Sequence, residues 1–366
     1  MRVLIFNWRD PKNPRAGGAE NYTHEIAKRL VMRGHKVAWF TAAFPGCKRT
    51  EMLNGVEIIR AGGRLSVYVQ AKRYYLREFK GKFDVVIDEI NTRPFMTPSF
   101  VKEPIVALIH QLAREFWFYE TPFPVNIIGY YWLEPRWLAR YRTIPTITVS
   151  DSTRQDLERL GFQDIIVIPL GIGDGSSIEP LADVPEKNEK PTLLFVGRMG
   201  RAKLPDHALR AFRCVKEEIR DAQLWMVGSG PMLEKLKLLS RRWRLKDVTF
   251  FGRVSEEKKL ELMRRAHVLL VPGVREGWGR VVTEANAMGT PAVGYDIPGL
   301  RDSIRHGKTG ILTDNKPEQL AKAAVELLTT SELLRKCAKR ALELSRQFSW
   351  ETSVNSVELL LKEKAR

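Results

Sequence analysis

The sequence predicts an α/β protein of two similar halves, each a parallel, doubly wound sheet. Short apolar runs of strand length alternate with helical stretches along the 366 residues, which is the pattern of βαβ units. The alternation breaks at 171–191, GIGDGSSIEPLADVPEKNEKP, a Gly-, Pro- and charge-rich stretch without periodicity that reads as a linker. It then restarts. A chain of this length exceeds one ordinary core and suits two domains.

In the first half the strand-like runs fall at 3–6, 37–41, 56–60, 85–88, 105–109, 146–149 and 165–168. In the second they fall at 193–196, 224–227, 248–251, 268–271 and 292–295. A helical stretch over 317–348 ends the second half, and Trp350 opens a last amphipathic segment. The expected division is residues 1–172, residues 173–348, and a segment 349–366 that packs back on the first domain. Two halves of this kind place a ligand cleft between them.

The composition, 44% hydrophobic and 28% charged, is that of a soluble globular protein. The opening RVLIFNWRD runs from a short strand directly into charge, unlike a secretory signal. No apolar run approaches the ~20 residues of a membrane span. Cys47, Cys214 and Cys337 are scattered and odd in number, which suits packing roles in a reducing, cytoplasmic compartment. The net charge of +17 is spread evenly, +8 over residues 1–170 and +9 over the rest. It fits attraction to polyanions in general, anionic lipid, nucleotide or nucleic acid, and has no basic arm or tail. The cluster Arg241-Arg242-Trp243-Arg244 reads as the solvated end of a helix.

The stretch 267–299, HVLLVPGVREGWGRVVTEANAMGTPAVGYDIPG, is the most informative. A buried strand empties into a Pro/Gly loop carrying Glu276, and a short helix stopped by Gly289 and Pro291 carries Glu284. Such a loop lies at the carboxyl end of a parallel strand, where open sheets bind ligands. Gly277 and Gly279 let the backbone approach a ligand closely. The amides of Trp278, Gly279, Arg280 and Val281 point out of the helix start, which favours an anion. Carboxylates accept hydrogen bonds from hydroxyls and amides donate them to phosphate. Hydroxylated rings on both sides of a phosphate, a sugar nucleotide, satisfy all three groups.

Four weaker constellations add to this. Gly17 and Gly18, before Glu20, form either a flexible turn or a phosphate-facing loop at a helix start. Arg198 and Lys203 follow the first strand of the second half, as plain surface charge or as the grip on a pyrophosphate. Gly228 and Gly230 bracket a turn before Pro231 and either shape backbone or touch ligand. His110 closes the strand IVALIH, as a structural or a catalytic histidine. The other histidines have no acids at metal-ligand spacing and no Asp-x-Asp occurs, so neither a metal nor a cofactor is expected.

Together these residues resemble the GT-B glycosyltransferases, specifically glycosyltransferase family 4. GGAE at 17–20, STRQDLERLGF at 152–162, PLGI at 169–172, GRMGRAK at 197–203, VGSGP at 227–231 and FGRV at 251–254 fall in the family's order. REGWGRVVTEANAMGTPAV at 275–293 carries its Glu-x7-Glu signature. The resemblance implies two Rossmann-like domains, an acceptor side first and a donor side second. It implies transfer of a sugar from a nucleoside diphosphate sugar with retention and without a metal. By position, Glu276 resembles the residue on donor-sugar hydroxyls and Glu284 the one on the ribose. Arg198 and Lys203 resemble the pair that neutralises the diphosphate. Gly17 and Gly18 would approach the phosphates, Arg253 and Val254 would meet the base, and His110 would sit beside the reacting carbon. The family often has Ser at Gly273, Gly at Leu204 and Phe at Trp278; these departures bear on the sugar more than on the reaction.

The acceptor has a weaker signature. Residues 116–141, FWFYETPFPVNIIGYYWLEPRWLARY, are a buried connection or an interfacial surface leaning on an anionic membrane. AKRYYLREFKGKF at 71–83 has the same basic-aromatic character. The expectation is a glycan or lipid-linked acceptor, with peripheral attachment at the inner face of the cell membrane and no nucleic-acid partner. The competing readings are a GT-B sugar-nucleotide epimerase, which would lack the Glu-x7-Glu run, and a basic nucleotide- or RNA-binding protein. The latter leaves the acids and glycine loops unused and predicts binding that collapses with salt.

Overall fold

A computed structural model describes residues 1–172 and 178–365. The chain divides into two compact units. One takes in Met1–Trp117, the stretch from Pro122 to the linker, and the C-terminal segment from Ser349; the other takes in Phe118–Thr121 and the chain from the linker to Phe348. The expected boundary at 172/173, and residues 173–177 of the linker, lie outside the described residues.

The first unit holds eight strands: β1 (Arg2–Phe6), β2 (Lys36–Thr41), β3 (Thr50–Leu53), β4 (Val56–Arg60), β5 (Val85–Glu89), β6 (Ile105–Leu108), β7 (Thr146–Thr148) and β8 (Ile165–Val167). Their order is β3-β4-β2-β1-β5-β6-β7-β8. All pair in parallel except β3, which runs antiparallel to β4. The sequence reading lacks β3. Its burial alternates because it is a half-exposed edge, and its signal is the Asn54-Gly55 turn, where both residues have positive φ. β1 is the spine: Val3, Leu4, Ile5 and Phe6 are fully buried, and burying each contributes about 1.5–3 kcal/mol.

The second unit holds β9 (Thr192–Val196), β10 (Gln223–Val227), β11 (Val248–Gly252), β12 (Val268–Val271), β13 (Ala292–Tyr295) and β14 (Gly310–Thr313). The order β11-β10-β9-β12-β13-β14 is wholly parallel. This is the 3-2-1-4-5-6 order of dinucleotide-binding folds, in which the chain reverses direction of growth beside the first strand. That reversal lies between β9 and β12. The expected strand at 268–271 matches β12, whereas β14 was not expected. The helical stretch at 317–348 is two helices, Pro317–Thr329 and Ser331–Ser345, parted at Thr330. Linker residues beyond the undescribed ones bind along this unit: the Leu181 amide donates to Ala287 O at 3.0 Å and that of Asn188 to Arg265 O at 2.9 Å.

The last helix, Trp350–Lys364, packs on helix Gly18–Met32 of the first unit. Trp350 Nε1 donates to Ile172 O at 3.0 Å. Glu358 accepts from Arg33 at 2.7 Å and sits 2.9 Å from His35 Nε2. Lys362, His35 and Arg33 pull the Glu358 carboxyl down to about 2. Among the described residues no helix is long and apolar enough to cross a membrane.

Candidate functional site

In the second unit the loops after β9 and β12 meet at the sheet's order reversal. The β9 loop carries exposed Arg198, then a single 3-10 turn, Arg201–Lys203. Leu204 follows in the left-handed region, φ +48°, before Pro205 opens helix Pro205–Glu218. This is the position where the family often has glycine, which carries no Cβ penalty there; for leucine the conformation costs about 1–2 kcal/mol. The β12 loop is tied to it by the Val274 amide, which donates to Ala202 O at 3.1 Å. That register brings Lys203 Nζ into an ion pair with Glu276 Oε1. Glu276 is buried and its own amide donates to Pro298 O at 3.2 Å. A side chain at Gly273 would put its Cβ 3.3 Å from Glu276 Oε1, so the absence of the family's serine leaves that carboxylate more room.

Gly279, φ +87°, turns the backbone into helix Arg280–Ala287, a conformation that disfavours L side chains. The helix ends at Gly289, where the Thr290 amide returns to Ala285 O at 2.9 Å, and Pro291 prevents continuation. Glu284 lies one turn in and is buried. Each of its oxygens has a cation: Arg280 Nη2 is 3.1 Å from Oε1, and Lys259 Nζ is 2.7 Å from Oε2. Burial opposes the charge on Lys259, but Glu284 and Glu256 outweigh it and raise its pKa. Trp278, expected to offer its backbone amide at this helix start, buries its side chain. Its side chain is core, with Nε1 donating to Thr283 Oγ1 at 2.8 Å and its ring edge-on to Phe348 at 5.2 Å. Its backbone leads into the helix start at Gly279 and Arg280. Gly277 and Val281 are half-buried on either side of it.

Gly228 and Gly230 shape backbone. A Cβ on Gly228 would fall 1.9 Å from Gly197 O, so only glycine lets the β10 turn lie against the loop carrying Arg198. The Met199 amide donates to Ser229 O at 2.9 Å and completes that contact. Arg253 is exposed and Val254 half-buried beyond β11, at the sheet edge two strands from β9. The second unit thus joins Lys203 to Glu276 directly, while Arg253 and Val254 lead into the helix Glu256–Arg265, whose Lys259 reaches Glu284.

The first unit gathers buried polar groups at its own reversal, between β1 and β5. His110 follows β6 and is nearly buried, with Nε2 3.3 Å from Glu89 Oε1 but not aligned as a hydrogen bond. Glu89 Oε2 accepts from Thr23 Oγ1 at 2.5 Å, and Asn91 Nδ2 donates to Asn7 Oδ1 at 3.1 Å. The Tyr22 ring packs edge-on to His110 at 5.0 Å. Burial, then the nearby Glu89 charge, raises the pKa of Glu20, while Arg9 and the Gly17 amide pull it back. The Gly17 amide donates to Glu20 Oε2 at 2.7 Å. The Gly17 amide is thus engaged within the chain by the acid that follows it at the helix start. Glu89 and Lys259 were absent from the sequence reading. Glu89 closes VVIDE, where the strand was expected to stop one residue earlier, and Lys259 lies in the charge-rich EEKKLELMRR. Among the described residues no three His, Cys, Asp or Glu gather as metal ligands.

The chain matches Glycosyltransferase Family 4 over residues 16–174 and Glycosyl transferases group 1 over residues 178–344. It is 29% identical over 230 residues to the GDP-mannose-dependent alpha-(1-6)-phosphatidylinositol dimannoside mannosyltransferase of Mycobacterium tuberculosis, covering 61% of this chain and 58% of that protein. The chain therefore spans little more than half the length of that relative. It is also 29% identical over 386 residues to the D-inositol 3-phosphate glycosyltransferase of Geodermatophilus obscurus, covering 93% and 84%. The fold is similar to sucrose-phosphate synthase of Thermosynechococcus elongatus, with a TM-score of 0.80 at 21% identity over 99% and 98% of the two chains. Matches across both halves, the reversal in each sheet and the Glu276/Glu284 spacing lead to one statement: the chain belongs to the GT-B glycosyltransferases of family 4 and group 1.

Proposed function

We propose that this protein transfers a sugar from a nucleoside diphosphate sugar to an acceptor hydroxyl, with retention at the anomeric carbon. The observation that carries the reading is the pairing of each acid of the signature with cations at the second sheet's reversal, Glu276 with Lys203 and Glu284 with Arg280 and Lys259. A diphosphate gains negative charge as the anomeric bond breaks. Preoriented cations and helix-start amides therefore stabilise the transition state more than the ground state. In this reading Lys203 exchanges Glu276 for the phosphates, with Arg198 adding a second cation. The released Glu276 accepts hydrogen bonds from the sugar hydroxyls. Glu284, fixed on both oxygens, accepts from the ribose. His110, braced by Glu89, faces the reacting carbon.

The acceptor we propose is a phosphorylated polyol or glycan carried on a lipid, reached at the inner face of the cell membrane. One relative is named for a phosphatidylinositol dimannoside and another for D-inositol 3-phosphate, which supports a phosphate-bearing acceptor. The test is a screen of nucleoside diphosphate sugars for slow donor hydrolysis and for thermal stabilisation, since a ligand at 100 times its Kd adds about 2.7 kcal/mol. One donor of the series should do both. If every nucleoside diphosphate sugar leaves the melting temperature unchanged, the reading fails.

A further inference from the structure

Apart from the scattered Met32, Met52 and Leu359, the large apolar side chains exposed on the first unit fall in two segments. Leu65 (76% exposed), Val69 and Leu76 lie along the helix Val67–Tyr74 and its continuation as a π-turn over Tyr75–Phe79. Phe123 (81% exposed), Ile128, Tyr131 and Trp132 lie along the short helical turns that end at Leu133. Cations interleave with both. Residues 64–82 carry Arg64, Lys72, Arg73, Arg77, Lys80 and Lys82 against the single acid Glu78. Arg136 lies over the Trp132 ring at 4.7 Å and Arg114 over Tyr130 at 4.0 Å. Arg93 lies over Tyr68 of the first segment at 4.5 Å and over Trp137, just beyond the second, at 5.9 Å. The two segments therefore adjoin.

Beside the helix runs a groove of about 710 Å³, lined by Arg49, Arg73, Arg77 and Lys82 over Tyr74 and Phe79, with Glu57 and Glu78 as its acids. Arg49 Nη2 donates to Tyr74 Oη at 2.7 Å and is fixed there. Residues 73 and 77 are one turn apart and face the groove, while 69 and 76 occupy the neighbouring strip of the same helix.

The mixture selects the occupant. The centre of a protein interface is depleted in charged residues, which gather at its rim, whereas here six cations within residues 64–82 run through the apolar strip. Nucleic acid would use the cations and aromatics but has no use for Leu65, Val69, Leu76 and Ile128. An anionic bilayer uses every component: apolar side chains enter the headgroup–acyl boundary, and cations meet lipid phosphate. We propose that this face docks the protein on an anionic lipid bilayer, with the Arg49–Arg73–Arg77–Lys82 groove taking a phosphate headgroup. The docking stands on the surface alone; its use, to bring a lipid-linked acceptor within reach, rests on the transferase reading above.

The test is sedimentation of the full chain with vesicles of phosphatidylcholine, alone or with about a third phosphatidylglycerol, at ~0.1 M salt. Wild type should pellet with the anionic vesicles only. Arg73→Gln/Arg77→Gln should weaken binding about 30-fold, at roughly five-fold per cation near a charged surface. Leu76→Ser and Trp132→Ser should each weaken it as well, while all variants keep the wild-type melting temperature and donor hydrolysis. Wild type indifferent to phosphatidylglycerol would overturn the proposal. So would full competition by free inositol phosphate with no effect of Leu76→Ser and Trp132→Ser, which would mark a soluble ligand. Equal binding of the wild type to RNA, insensitive to those two substitutions, would overturn it in favour of a polyanion site. Vesicle binding without any donor hydrolysis would uphold the docking and refute the transferase reading, so the two failures are distinct.

Discussion

At the order reversal of the second sheet each signature acid meets a cation: Glu276 has Lys203, and Glu284 has Arg280 and Lys259. At the reversal of the first sheet Glu20 and Glu89 are as deeply buried. There the cation beside them is Arg9, 3.8 Å from Glu20, and a histidine stands over Glu89. The two sheets share a strand order around their central strand but load the same topological position differently. In the proposed reading, the charge-balanced cluster takes a diphosphate by exchanging an acid for a phosphate on the same cation. An acid-rich cluster repels a diphosphate and suits neutral hydroxyls. Topology supplies the place in both units, and side chains decide what each place can bind.

The sharpest way to break the contrast is Lys203→Ala. Loss of one preoriented contact to a leaving group costs about 10²–10³ in rate. Lys203 is a third exposed, so its pair contributes about 1 kcal/mol or less to stability. Turnover should collapse while the melting temperature hardly moves; near-normal turnover would remove the distinction between the units. Glu89→Gln should act in the other sense. It keeps the shape but removes the charge facing His110, and turnover should fall about ten-fold, about 1.4 kcal/mol of barrier, with nucleotide affinity unchanged. A parallel loss of nucleotide affinity would show the first cluster acting on the donor side.

What was legible in the sequence follows the same division. The second unit's site is written in contiguous segments, so β12, the helix carrying Glu284 and the strand after it could be read in order, and the family match extends across them. The first unit's cluster is assembled from the ends of separate strands. Glu89 looks like the tail of an apolar run, and only the pairing of β5 beside β6, Glu89 opposite Leu108, brings it to His110. Lys259 was hidden for a different reason: in EEKKLELMRR one half-buried, paired lysine cannot be told from its solvated neighbours. β3 escaped because an edge strand is half polar, although Asn54-Gly55 marked its turn. For Trp278 the expectation concerned its amide; the segment carries no signal that its indole turns into the core against Thr283 and Phe348.

A smaller effect separates the units by pH. In the second unit His267 Nδ1 accepts from the Thr192 amide at 3.1 Å. Burial, then Lys187, lowers its pKa to about 4. The unfolded histidine takes its proton near 6.5. Stability from this group is therefore complete above pH 6.5 and declines as pH falls toward 4, by at most about 1.4 kcal/mol per pH unit. Glu20 of the first unit has a raised pKa, so its contribution is complete below 4.5 and is lost as pH rises through its folded value. Acidification should loosen amide-exchange protection around β12 before that around β1, and His267→Gln should flatten the first response. Equal loss in both units, or no change in His267→Gln, would contradict this.

The central claim is that the carboxylate–cation pairs after β9 and β12 hold a nucleoside diphosphate, and calorimetric titration of UDP and GDP tests it most directly. The account predicts that one of the two nucleotides binds the wild type and that Lys203→Ala and Glu284→Gln each weaken it at least ten-fold, about 1.4 kcal/mol, while Glu89→Gln leaves it unchanged. Wild-type affinity in Lys203→Ala and Glu284→Gln would contradict it.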